Sequence, residues 1–268
     1  MKKCALYIIL IAGIITACNT TPGDGRRNND KFIEHNSSCT LLLDTASNNS
    51  PKYECNISIK TIESDNKERM DKINNSIIAT IFGSENGDLT ATVDTFMANI
   101  RSDYYDLLPE YLNEKHINEN APWFNFSYDL KTNVEYGRGG TIIYEIYNYT
   151  YNGGAHPHTI YTYINFNPES GNEIYLADIF KEGYEEYLCN RLTDALADKI
   201  GATSRKDIKE KGYLTFNDIY PTENFIMKKD SILFFYNTYD IAPYSMGTTT
   251  LGFTYDELSE IMKGDYKN

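Results

Sequence analysis

The sequence predicts an α+β fold of mainly antiparallel sheets with helices packed on one face, in two intertwined subdomains. Three observations predict it. Runs rich in Tyr, Ile, Thr and Phe recur between Gly- and Asn-containing turns, as the short strands of a sheet do. Longer stretches carry apolar residues at helical spacing instead. The two kinds of stretch come in blocks, β, β, α, α, β, β in the first half, rather than in strict alternation.

The chain opens with a segment outside the fold. Lys2 and Lys3 precede an apolar run from Ala5 to Ile15, followed by Thr16-Ala17-Cys18. That is the charged region, apolar region and small-residue cleavage site of a signal peptide, and the apolar run is too short to span a bilayer. Ile15-Thr16-Ala17-Cys18 resembles a bacterial lipobox, in which Cys18 becomes the lipidated first residue of the mature chain. Several acyl chains, palmitate among them, would hold the protein stably on a membrane. The expected location is the cell envelope; no acidic run follows Cys18, so the periplasmic and extracellular sides both stay open. Residues 1–17 read as the leader, 18–31 as a polar tether, 32–155 as an N-terminal subdomain and 156–268 as a C-terminal one.

Cys39–Leu43 and Tyr53–Ile62 are the first strand-like runs. They set Cys39 and Cys55 as cross-strand neighbours, and an oxidising compartment would permit a disulfide between them. Both the bridged and the free state stay open at this point. Asp65–Phe82 reads as a helix with Ile73, Ile77, Ile78 and Ile81 on one face and Ser64 or Asp65 as its cap. Ser64 and Lys67 also fit a Ser-x-x-Lys pattern, but the position at a helix start makes capping the reading. Leu89–Lys115 is a longer amphipathic segment that Pro109 ends or kinks. Trp123–Tyr136 and Thr141–Tyr151 follow as strands around a glycine turn.

The centre of the chain is Tyr144–Phe166, where two aromatic strands meet at Asn152-Gly153-Gly154. Gly and Asn accept positive φ, and a Gly pair lets a backbone or a ligand approach closely. Pro157 lacks an N–H and belongs at a strand start or edge. Ile160, Thr162, Ile164 and Phe166 alternate with Tyr161, Tyr163 and Asn165, the period of a strand with one face inward. His156 and His158 would share a face on a regular strand. Hydrogen bonding is the first reading of this pair. Metal ligation with Asp178 or Asp240 is the second, because two ligands alone make no site.

Beyond the corner come a hairpin turn at Asn167–Gly171, a returning strand Glu173–Leu176 and a helix Tyr184–Ile200 stopped by Gly201. Tyr184, Leu188, Leu192, Ala195, Leu196 and Ile200 form the inner face of that helix, and Cys189 reads as a buried thiol. Strands are expected at Phe225–Lys228, Ser231–Tyr239 and Thr248–Thr254, with a closing helix Tyr255–Met262. The loop Asp240–Gly247 displays Tyr239, Asp240 and Tyr244 from a sheet end, where function is often placed.

Acidic residues outnumber basic ones, 38 to 25, for a net charge of −13. That argues against nucleic acid and favours a basic partner. The 23 tyrosines offer apolar faces with polar tips, suited to gripping sugars or protein surfaces; Tyr161, Tyr163, Tyr239 and Tyr244 are the ones to watch. No zinc-protease, nucleophile-elbow, P-loop or dinucleotide pattern occurs, so no cofactor and no catalytic residue is assigned.

One succession of motifs suggests a family. It runs Tyr151-Asn152-Gly153-Gly154-Ala155-His156-Pro157, Asn165-Phe166-Asn167, Leu176-Ala177-Asp178-Ile179-Phe180, then Tyr239-Asp240-Ile241-Ala242-Pro243-Tyr244 and Tyr255-Asp256-Glu257-Leu258. In this order they resemble the paired domains of unknown function in the extracellular part of the lysozyme-sensing anti-sigma factor RsiV and in the non-catalytic half of the peptidoglycan deacetylase PdaC. The resemblance implies an α+β envelope module that binds a lysozyme-like protein or peptidoglycan without transforming it. Signalling and deacetylation do not carry over, because the membrane-spanning and catalytic parts are not recognisable here. Binding residues expected are Gly153, Gly154, His156, His158, Tyr161, Tyr239, Asp240 and Tyr244. The competing expectation is a hydrolase or metal-dependent enzyme built on His156, His158 and Asp240.

Overall fold

A computed structural model describes residues 30–266 apart from 48, 85, 86, 118–120 and 216. The leader, Cys18 and the tether up to residue 29 lie outside the described residues. The strands are β1 (Lys31–Leu42), β2 (Lys52–Glu63), β3 (Phe126–Tyr136), β4 (Ile142–Asn152), β5 (His158–Phe166), β6 (Phe225–Met227), β7 (Ser231–Tyr236) and β8 (Thr249–Thr254). The helices are α1 (Lys67–Phe82), α2 (Leu89–Tyr105), α3 (Leu108–Glu114), α4 (Leu176–Ile179), α5 (Tyr184–Ile200), α6 (Arg205–Glu210) and α7 (Tyr255–Leu258).

The fold is α+β. A mixed five-stranded sheet has the order β1-β2-β3-β4-β5, and a separate antiparallel sheet has the order β6-β7-β8. β1 and β2 pair antiparallel, whereas β2 and β3 pair parallel. A parallel pair needs a long crossover, and α1, α2 and α3 supply it. The chain divides into two compact units with interleaved segments. The first is Asp30–Thr132 with Ile146–Thr159; the second is Asn133–Glu145 with Ile160–Asn268. The polypeptide thus changes unit within β3, within β4 and within β5.

In the first unit, Ile57, Ile59 and Ile62 of β2 and Ile73, Ile77 and Ile78 of α1 are buried, the inward sets of a strand and of a helix. Asn66, not Ser64 or Asp65, caps α1: its side chain accepts from the Arg69 N–H at 3.1 Å. Ser64 is engaged elsewhere, with its hydroxyl 3.1 Å from Arg69 Nη1. The Arg69 guanidinium also grips the Asp30 carboxylate through two hydrogen bonds, Nη1 to Oδ1 at 2.8 Å and Nη2 to Oδ2 at 2.7 Å. The expected Leu89–Lys115 segment is two helices. Pro109 opens α3 instead of ending α2, because a proline in the first helical turn forfeits no hydrogen bond.

In the second unit, Leu188, Leu192 and Leu196 of α5 pack with Phe234, Leu251 and Phe253 of the small sheet and with Leu258. Gly201 ends α5 at φ 65°, as the glycine signal predicts. Cys189 is half-buried and not fully buried. The predicted returning strand Glu173–Leu176 shrinks to a single bridge between Phe166 and Glu173. Leu176 already begins α4, whose Asp178 carboxylate accepts from the Tyr175 N–H at 2.9 Å.

Candidate functional site

The expected site residues fall in both units. Gly153, Gly154, His156 and His158 belong to the first; Tyr161, Tyr239, Asp240 and Tyr244 belong to the second.

At the corner, Gly153 has φ 73°, and a Cβ built on it would lie 1.7 Å from the Trp123 carbonyl oxygen. The glycine is therefore required by close approach of the protein's own backbone. Gly154 faces open space. His156 lies in a bend ahead of Pro157 and only His158 is on β5, so the two imidazoles do not share a regular strand; both are exposed. Pro157 stands immediately before β5, where its missing N–H is harmless. Among the described residues, no three His, Cys, Asp or Glu side chains are grouped to hold a metal ion.

The second unit brings its four candidates together. The inward alternation predicted for β5 fails at both ends: Asn165 is buried at 1% exposure and Ile160 is 37% exposed. The reason is a set of asparagines that bonds β5 in place of a neighbouring strand. Tyr161 N–H donates to Asn237 Oδ1 at 2.8 Å, and Tyr163 N–H to Asn224 Oδ1 at 2.7 Å. The Nδ2 groups of Asn224 and Asn237 both donate back to the Tyr161 carbonyl, at 2.9 and 3.0 Å. Asn165 reaches across in turn, donating to the Phe225 carbonyl at 2.8 Å and accepting from Met227 N–H at 3.0 Å. The Tyr161 and Tyr163 rings lie against Phe235, with centroids 5.5 and 5.2 Å away.

Asn237 ties this strand to the loop. Its backbone N–H donates to Asp240 Oδ2 at 2.7 Å, and Tyr239 N–H donates to the Ala242 carbonyl at 3.1 Å. These bonds hold Tyr239 at φ 74°, a left-handed conformation that an ordinary side chain adopts only at a cost of about 1–2 kcal/mol. The residue is 57% exposed, and its ring leans on Tyr244 with centroids 5.8 Å apart, tilted 34°. Met246, 39% exposed, follows in the same turn, and Gly247 closes it at φ 70°, ψ −158°, a region essentially restricted to glycine. Burial raises the Asp240 carboxyl above its ordinary range, and the bond from Asn237 N–H pulls it partly back. Burial likewise raises the Tyr163 phenol, with the Glu145 carboxylate adding to the rise. The loop thus presents an aromatic pair on a strained, braced turn. Asn237 was missed in the sequence; an Asn with an Asp three residues on is the turn signal that marks it.

Two family models cover much of the chain. Residues 46–159 match "Deacetylase PdaC", and residues 177–256 match "Protein of unknown function (DUF3298)". The chain pairs a PdaC-type segment with a DUF3298-type segment. The expected resemblance to the PdaC-like module of unknown function holds, and the Tyr239–Tyr244 loop lies in the DUF3298-type segment. A crystal structure of a DUF3298-family member from Bacteroides fragilis superposes with a TM-score of 0.80 at 27% identity, covering 88% of this chain and 95% of that one. A DUF3298-family protein from Pseudomonas aeruginosa PAO1 shares the fold at a TM-score of 0.57 and 18% identity, covering 87% and 95%. No curated protein matches the sequence.

Proposed function

We propose that the chain is a lipid-anchored, non-catalytic binding module of the cell envelope, whose DUF3298-type segment grips a basic, lysozyme-like protein. The observation that carries this reading is the Tyr239–Tyr244 pair. A large ring held outward in a left-handed conformation and stacked on Tyr244 is not part of the core, and braced tyrosines are the residues from which interface anchors are made. The charge of −13 favours a cationic partner and speeds its approach. The Ile15-Thr16-Ala17-Cys18 motif supports the anchor on the envelope. Among the described residues no helix is long and apolar enough to cross a membrane.

The test is retention of lysozyme and, separately, of insoluble peptidoglycan by the purified protein. Lysozyme should be held at low ionic strength, and the Tyr239→Ala, Tyr244→Ala double variant should weaken binding at least about tenfold, the loss of one interface anchor. Retention of peptidoglycan alone would move the ligand to the wall polymer. Retention of neither, or turnover of peptidoglycan, would overturn the reading. Labelled palmitate should enter the wild type and not Cys18→Ala.

A further inference from the structure

Cys39 on β1 and Cys55 on β2 stand directly opposite in the antiparallel register. Opposed Cα atoms of such a pair are about 4.5–5.5 Å apart, within the roughly 4.4–6.8 Å that a disulfide spans. Both thiols are free. They differ in surroundings. Cys39 is half-buried and reachable; Cys55 is fully buried, with its Sγ 3.5 Å from Met97 Sδ.

We propose that Cys39 and Cys55 are a redox-active pair that closes to a cross-strand disulfide, with Cys39 meeting the oxidant and Cys55 resolving. The oxidant is a small-molecule or protein disulfide. The Cys39 thiolate attacks one sulfur of it, forming a mixed disulfide and releasing one thiolate. Cys55 then attacks Cys39 Sγ and passes its proton to the second thiolate as that leaves. Two protein thiols are oxidised and one disulfide is reduced to two thiols. The neighbouring Cys55 side chain lowers the Cys39 thiol, with Arg101 adding to the fall; that favours attack by Cys39. The proximity of Cys39 is in turn the largest cause raising Cys55, and that influence weakens once Cys39 is in the mixed disulfide. Closure would rivet β1 to β2 three residue pairs from the turn end of the hairpin.

The test uses the full chain, reduced, freed of reductant and exposed to oxidised glutathione, then alkylated and mapped by mass spectrometry. The wild type should lose two hydrogens and yield a joined Cys39–Cys55 peptide, with Cys189 still alkylated. Cys55→Ser should accumulate a glutathione adduct on Cys39. Cys39→Ser should react at Cys55 at least about tenfold more slowly. Persistence of both thiols in the folded wild type would overturn the proposal, as would pairing of either one with Cys189. An adduct forming equally fast on Cys55 in Cys39→Ser would overturn the assigned order. The wild-type map stands alone if a variant fails to fold.

Discussion

Asp30 and Arg69 are 4% and 2% exposed, so the charge on each is tolerable only because the other faces it. Asp30→Ala should lower the unfolding free energy by about 3–5 kcal/mol, since it leaves a buried guanidinium unmatched; urea denaturation reads the change. Replacing both residues with apolar side chains of similar volume should cost far less. Asp240 gives the opposite lesson. Burial raises its carboxyl, so the folded protein holds that proton more tightly than the unfolded chain does. Its contribution to stability is therefore full below the unfolded range, about pH 4, and is lost as pH rises through the raised folded value. Asp240→Asn keeps an acceptor for the Asn237 N–H and removes the charge. The melting temperature of this variant should be flatter above about pH 4 than that of the wild type, with no loss at neutral pH. A steeper profile would mean that the carboxylate is stabilising where it sits.

At the scale of elements, β5 pairs with β4 on one side, and on its outer side its partners are side chains. Asn224→Ala leaves the Tyr163 N–H without its acceptor, and Asn237→Ala does the same to Tyr161. Each should cost about 1–3 kcal/mol, the usual penalty for stranding a polar group. Hydrogen exchange at Tyr161 and Tyr163 should accelerate before any global unfolding. Unchanged protection in both variants would show that the asparagines are not what holds the edge. This edge is also where reading the sequence fell short. The period-two rule assumes that polar residues on a strand seek water; Asn165 is buried because its amide has two partners about sixty residues away. Asn237 bonds a strand 76 residues back, and Asp30 meets Arg69 across 39, separations at which no local pattern survives. Many local signals were legible, though the α1 cap and the role of Pro109 were not. The inner face and Gly201 stop of α5, the opposition of Cys39 and Cys55 across a short connection and the exposed Tyr239 loop follow from residues close in the chain, whereas Gly153 is required by Trp123, thirty residues before it.

At the scale of the molecule, the family matches and the compact units do not coincide. The PdaC-type match runs unbroken through 46–159, yet Asn133–Glu145 within it belongs to the second unit. That segment carries Ile142, Ile143 and Tyr144, exposed by 1% or less, with Tyr144 edge-on to Phe166 at 5.8 Å. It also carries Gly137, where an added Cβ would lie 1.9 Å from the Met227 carbonyl oxygen. A chain ending at Thr159 would keep every residue of the first unit while stripping these side chains of Phe166 and Met227. Each buried side chain of this size is worth about 1.5–3 kcal/mol. The fragment 30–159 should therefore bind a hydrophobic dye and self-associate, and 160–266, lacking that segment, should not unfold cooperatively. Dye binding, sedimentation and denaturant melts of the two fragments against the full chain are the check. Two monomeric, dye-silent fragments would show that the strand segments exchanged between units are dispensable. If the fragments fail as expected, the two family-type segments cannot be inherited separately in this arrangement. Any binding by a loop of the DUF3298-type segment would then depend on residues of the PdaC-type match for its scaffold.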